Sequence, residues 1–298
     1  MTVQSKCTCI FFVTVTTRKI AQLVQAAPLA EGAGVTVHRT IGTPSLRHPD
    51  PFLMLDHFGS DDPDQYIAGF PDHPHRGFIT LTYMLDGHML HQDSMGNKGD
   101  LNAGGIQWMN AASGVIHSEM PQQTEGLMRG FQLWINLPAT EKMSDPSYQE
   151  FSAAAIPVAD EGDIKVRVLS GSYAGCTGPI DDPNTDVRYF DVALSSGAEF
   201  AYDLPAEMTA FIYAYQGHGQ VAGGPVPTHA LARLSDGKRF EISATDELRF
   251  ILVAGRPIGE PIAQHGPFVM TSREEIEQAF SDYHDGTFVR TRAAWVSD

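Results

Sequence analysis

Residues 69–85 read GFPDHPHRGFITLTYML and set His73 and His75 two residues apart, directly ahead of a run rich in β-branched and aromatic residues. Side chains at i and i+2 of a strand project from the same face, so the two imidazoles can aim at one point. Pro74 cannot donate a ladder hydrogen bond and therefore belongs at a strand end or a sheet edge, where a site can open. Taken alone, a His-x-His pair in a strand is more often hydrogen-bonded decoration than a metal clamp. A second pair of the same spacing, His117 and Glu119 in SGVIHSEMP (113–121), tips the reading toward metal. If both strands lie side by side in one barrel, three imidazoles and one carboxylate meet. That set suits Fe(II), Cu, Ni, Mn or Co and leaves two octahedral positions open.

The surrounding pattern is that of an all-β protein. GVTVHRTIG (34–42), FITLTYML (78–85), GIQWMNA (105–111) and GFQLWINL (130–137) are short strand-like runs bounded by Gly, Pro or Asp. A second set follows: IKVRVLSG (164–171), VRYFDVALS (187–195), MTAFIYAYQG (208–217), THALARLS (228–235), KRFEIS (238–243) and ELRFILVAG (247–255). Such spacing predicts a sandwich or barrel in each half. Asp86-Gly87 and Asp236-Gly237 read as tight hairpin turns. PATEKMSDPSYQEF (138–151) reads as a connector with at most a short helix. The segment TSREEIEQAFSDYHDG (271–286) predicts a helix. Ser272 and Glu275 form its capping box, and Ile276, Ala279, Phe280 and Tyr283 form its apolar face against a barrel or a domain junction.

Composition narrows the function classes. The 298 residues carry 36 acidic against 20 basic side chains, a net charge of -16 that repels a phosphate backbone, so direct nucleic-acid binding is not expected. Cys7, Cys9 and Cys176 are too few for a disulfide framework and are read as reduced. The segment CTCIFFVTVTT (7–17) imitates a short signal sequence, but only Lys6 precedes it as a charge, threonines break the apolar run, and Arg18 and Lys19 interrupt the path to a cleavage-like stretch. No stretch approaches the roughly 20 apolar residues of a membrane span. The expectation is a soluble, cytoplasmic monomer, or a nuclear one in a eukaryote, with residues 1–17 an extension outside the fold. Translation from Val15 is one origin of such an extension. GHGQVA (217–222) imitates a dinucleotide fingerprint but runs into GGPVP instead of a helix, and is rejected.

At this point a specific resemblance emerges. DPFLMLDHFG (50–59), FPDHPHRGF (70–78), HQDSMGNKGDL (91–101), GGIQWMNAASGVIHSEMP (104–121) and FQLWINLP (131–138) closely resemble the N-terminal half of the pirin family. The tail from Gly255 to Phe288 resembles the pirin C-terminus. The resemblance implies a bicupin, two tandem jelly-roll β-barrels with a few short helices. The metal-binding cupin is expected over 18–140, a linker over 141–160 and a cupin without a metal site over 161–298. It further implies that His73, His75, His117 and Glu119 are the metal ligands, Glu119 being also the catalytic base, with iron the foremost metal. Many pirins carry Glu where this chain has Ile79, so any carboxylate role falls on Glu119 and support from position 79 is lost.

Two functions follow as expectations. One is a quercetin 2,3-dioxygenase-like oxidoreductase acting on a small aromatic substrate and O2. In it Glu119 takes the proton of a flavonol hydroxyl, and Phe52, Phe78 and Met109 shape a dry pocket. The other is a non-catalytic iron protein that senses redox state and binds a protein partner. His91 is read as a mouth, surface or supporting residue, His57 as structural, and Trp108 and Trp134 as core or pocket lining.

Overall fold

A computed structural model describes residues 16–290, and within them the chain builds two sandwiches of the same design. In the first, a seven-stranded sheet faces a four-stranded one. The large sheet runs Ala27–Glu31, Val35–Ile41, Phe52–Ser60, Met128–Asn136, Phe78–Asp86, Ile106–Asn110 and Ser147–Phe151 from edge to edge. The small one runs Phe70–His75, Val115–Pro121, His88–Asp93 and Lys98–Asn102. The second sandwich repeats the seven-plus-four arrangement, and every pairing between named strands is antiparallel. Two cupin-type domains are therefore present, as expected.

The central strands are apolar on both faces because each large sheet has two dry sides. In Phe78–Asp86 the first seven residues are buried. Phe78, Thr80 and Thr82 point into the first barrel, while Ile79, Leu81 and Tyr83 join a core shared with Leu169, Tyr189, Phe211, Tyr213, Ile251 and Val253 of the second. At roughly 1.5–3 kcal/mol for each large apolar side chain taken out of water, this seam is a core and not a transient contact. Polar pairs register it: Tyr83 and Tyr215 both donate to Asp191, and the imidazole of His57 meets the hydroxyl of Tyr213 at 3.1 Å.

The ends of the chain cross between the barrels. Ile20–Gln25 pairs with Ala230–Leu234 at the edge of the second large sheet, and the helix Arg273–His284 lies over the first barrel. There Ile276 and Ala279 cluster with Phe268, Met270 and Phe288 beside Ile116 and Met143. The capping box of Ser272 and Glu275 is present. The apolar face is less covered than predicted: Ile276 and Ala279 are buried, whereas Phe280 and Tyr283 stay exposed and make edge-to-face contacts with Phe268 and Phe288.

Further expectations are corrected. Neither Asp-Gly turn makes a hairpin. Gly87 and Gly237, both with positive φ, carry the chain around a corner from the large sheet to the small one, since the flanking strands pair with other partners. The 138–151 connector contains a strand, Ser147–Phe151, that edges the first large sheet. The 141–160 stretch also supplies Val158–Asp160, the outer strand of the second large sheet. Thr17 bridges to Arg239, so the described end of the 1–17 extension touches the second barrel. Cys7, Cys9 and Val15 lie outside the described residues, and Cys176 is a half-buried free thiol.

Candidate metal centre

The strands Phe70–His75 and Val115–Pro121 are hydrogen-bonded neighbours in the small sheet, with His73 opposite His117 and His75 opposite Val115. The two-residue period puts His73 and His75 on one face, and antiparallel register brings His117 to the same spot. Ring centroids lie 4.4 Å (His73–His117), 4.7 Å (His73–His75) and 4.9 Å (His75–His117) apart. One nitrogen from each of the three falls within 4.8 Å of the others. Phe70–His75 is an edge strand, as Pro74 requires.

The nitrogen inventory tests whether these residues suit a metal. His73 Nδ1 lies 2.8 Å from the Pro71 carbonyl, which makes it the protonated nitrogen and leaves Nε2 with its lone pair. His117 Nδ1 meets His91 Nδ1 at 3.3 Å, and its buried Nε2 has no partner. Neither nitrogen of His75 makes a hydrogen bond, although the residue is 2% exposed. Burial, and then the neighbouring imidazoles, hold the His75 and His117 pKa values well below the ordinary histidine range; for His75 the Pro267 carbonyl opposes this weakly. Both rings are therefore neutral, the form a metal requires. Leaving such groups buried without partners is costly, and a cation shared among three lone pairs removes the cost.

Glu119 stands apart from this cluster. It is 2% exposed, and its carboxylate accepts from the Thr82 hydroxyl at 3.1 Å and the Gln132 amide at 3.0 Å. Gln132 in turn accepts from the Trp134 indole at 3.3 Å. Among the described residues no Lys or Arg pairs with Glu119; its partners are the neutral hydroxyl and amide of Thr82 and Gln132. Thr82 and Gln132 were not identified from sequence. Their signal was a polar residue at an inward position of an otherwise apolar strand. Ile79 points the other way, into the seam between barrels, so it neither supports nor obstructs the cluster.

On the opposite side of His117 lies another pair, of which sequence reasoning left His91 with three alternative roles and Asp93 with none. His91 and Asp93 share the strand His88–Asp93 and face Glu119 and His117 in register. His91 Nε2 is 3.2 Å from Asp93 Oδ2, and its ring stacks on Tyr148 at 4.7 Å and 23°. Burial would raise the Asp93 carboxyl, but donors from His91 and Asn97 outweigh it and hold it below the usual carboxylate range. His91-x-Asp93 repeats the spacing of the other two pairs, which was the available signal.

A cleft of about 720 Å³ opens over the cluster. Its apolar wall is Leu53, Met54, Phe70 and Trp134. The polar wall includes Gln132 and Arg39, whose guanidinium forks onto Asp56 with two bonds of 2.7 Å. The sequence-based lining is corrected here. Phe52 sits in the interbarrel core, Met109 packs with Ala111 and Val115, and Phe78 backs His75 and Trp134 from below without lining the cleft. Trp108 belongs to the seam, as does His57.

Known proteins share this architecture. Residues 34–135 match the family description Pirin, and residues 189–289 match the Pirin C-terminal cupin domain. A pirin-like protein of Caulobacter vibrioides is 48% identical over 273 residues, covering 91% of this chain and 99% of that protein. Human pirin is 40% identical over 277 residues, covering 90% and 93%. A crystal structure of quercetin 2,3-dioxygenase from Acinetobacter baumannii superposes with a TM-score of 0.85 at 31% identity, covering 92% and 99%. With both cupin domains matched and relatives similar over nearly their whole length, the chain belongs to the pirin family.

Proposed function

We propose that the protein is a metal-dependent dioxygenase of flavonol-like substrates, with the metal, foremost Fe(II), held by His73, His75 and His117 and with Glu119 as the acidic partner. The observation that carries this reading is the set of neutral imidazoles with unused nitrogens at the base of a cleft large enough for a drug-sized aromatic molecule. A divalent transition metal bound there supplies Lewis-acid and redox chemistry toward an enolic substrate and O2. Trp134, Met54, Leu53 and Phe70 give a flat aromatic substrate an apolar wall and exclude water from it. Gln132 bridges the cleft to Glu119, whose Oε2 takes the substrate hydroxyl proton after the Gln132 contact breaks. Freed from Gln132 and not yet protonated, the same carboxylate would serve as a fourth ligand.

The second reading, a metal-dependent regulator of a protein partner, has one observation in its favour. His75 is followed by Arg76, which is tied directly to the helix Arg273–His284, so a change at the cluster has a covalent and ionic route to the surface. The deciding experiment loads the purified protein anaerobically with Fe(II) and follows O2 uptake with quercetin. Turnover that disappears in His117→Ala and Glu119→Gln supports the dioxygenase. Stoichiometric metal without turnover on a panel of flavonols overturns it in favour of the regulator.

A further inference from the structure

We propose that His91 and Asp93 are positioning residues that lock His117 in the tautomer with its proton on Nδ1, so that Nε2 presents its lone pair to the metal. This rests on the reading of His117 as a ligand and extends it to a hydrogen-bond relay through the sheet.

The direction of the relay follows from counting donors. Asp93 Oδ1 accepts the backbone N–H groups of Met95 and Asn97 at 2.8 and 3.0 Å, and Oδ2 accepts the Asn97 side-chain amide at 2.8 Å. Every neighbour of this carboxylate donates, so the His91 nitrogen facing it at 3.2 Å, Nε2, carries a proton. With that proton on Nε2, the atom of His91 left to accept is Nδ1, which lies 3.3 Å from His117 Nδ1. His117 must donate across that contact. Its remaining nitrogen, Nε2, is the buried atom with no other partner. The parts are held rigidly: Asp93, His91 and His117 are each 1–2% exposed. Tyr148, stacked on His91, is fixed by hydrogen bonds to Glu150 and Gln107. His73 reaches the same tautomer by a different route, through the Pro71 carbonyl. The relay is therefore particular to His117. A carboxylate or carbonyl behind a metal-bound histidine is common; an intervening second histidine makes the polarity of the chain reversible.

That reversibility supplies the test. Asp93→Asn keeps an acceptor for the two backbone N–H groups but turns an amide N–H₂ toward His91 Nε2, with the Asn97 amide flipping to present its oxygen to the same N–H₂. His91 then accepts there and donates from Nδ1, and His117 is driven to the tautomer with its proton on Nε2. His91→Phe keeps the stack on Tyr148 and removes the relay. Long-range 15N-edited NMR of the metal-free full-length chain reads the tautomers directly. The expected result is a His117 proton on Nδ1 in the wild type, on Nε2 in Asp93→Asn, and shared between both in His91→Phe. In a chelator competition with Ni(II) or Co(II), both variants should bind the metal about 10- to 100-fold more weakly. A wild-type His117 with its proton on Nε2, or a tautomer unchanged in both variants, overturns the proposal. If the tautomers switch as expected while wild-type metal affinity is negligible, the relay stands and the metal reading fails. If affinity is high and insensitive to both variants, the metal reading stands and the relay fails.

Discussion

Arg76 and Asp282, 206 residues apart in sequence, form a 2.7 Å ion pair that pins the C-terminal helix beside His75. The guanidinium also donates to the carbonyls of Ser113 and Phe288 and lies 4.4 Å over the Phe288 ring. Next to it, Lys142 Nζ reaches the carbonyls of Gly77 and Val269 and the Asn136 side chain, closing the same seam. The helix is thus attached to the strand that carries two candidate ligands.

Replacing Asp282 by Asn leaves the buried Arg76 charge without its counter-ion. Because Asp282 is itself partly solvated, with a side chain 20% exposed, the cost should fall at or below the lower end of the range for broken buried pairs, about 2–3 kcal/mol. Chemical denaturation measures the loss, and hydrogen exchange should show the helix Arg273–His284 opening before either barrel. Unchanged helix protection in Asp282→Asn would mean that the apolar contacts of Ile276 and Ala279 hold the helix without the ion pair.

His57 makes the protein acid-sensitive. Burial first, with His229, His38 and Arg129 adding repulsion, lowers its pKa from 6.5 to about 3. As pH falls through that window the unfolded chain takes up a proton that the folded chain refuses, so stability declines with acidification. Between neutral pH and about pH 4, the wild type should lose about 3 kcal/mol more than His57→Phe. Carboxylate titrations common to both proteins cancel in this difference. Parallel stability–pH curves would exclude His57 as the source.

Asp191 should register the two barrels. It accepts the hydroxyls of Tyr83, from the first barrel, and Tyr215, from the second, at 2.6 and 2.5 Å. Asp191→Ala strands both phenols in the dry seam at about 1–3 kcal/mol each, whereas Asp191→Asn keeps one acceptor and should cost about half as much. Equilibrium denaturation distinguishes the two variants. Equal losses would show that attraction of the charge to Arg167 and Arg249, and not the pair of hydrogen bonds, dominates.

The metal cluster was legible because its geometry is local: period-two spacing fixes which face His73 and His75 share, and one register assignment brings in His117. The setting of Glu119 was not, because its partners Thr82 and Gln132 come from two strands of the opposite sheet. Asp86-Gly87 was misread for a related reason. A residue pair that favours positive φ serves a hairpin and a sheet-to-sheet corner equally well, and only strand pairing separates them. Ser147–Phe151 escaped notice because an outer strand with one partner needs little apolar pattern. Ile79, a departure from the family pattern, proved neutral for the site once its face was known.

The crossing of the chain ends has a consequence for how such a protein can be divided. A cut within 141–160 would separate two halves that each hold a piece of the other. The first would keep Ile20–Gln25, an edge strand whose sheet lies in the second, and would lose the helix and Val269 carbonyl that close its own wall. Neither half is a self-sufficient module. Although its two barrels are built alike, the molecule cannot be cut at its middle without taking a wall from each of them.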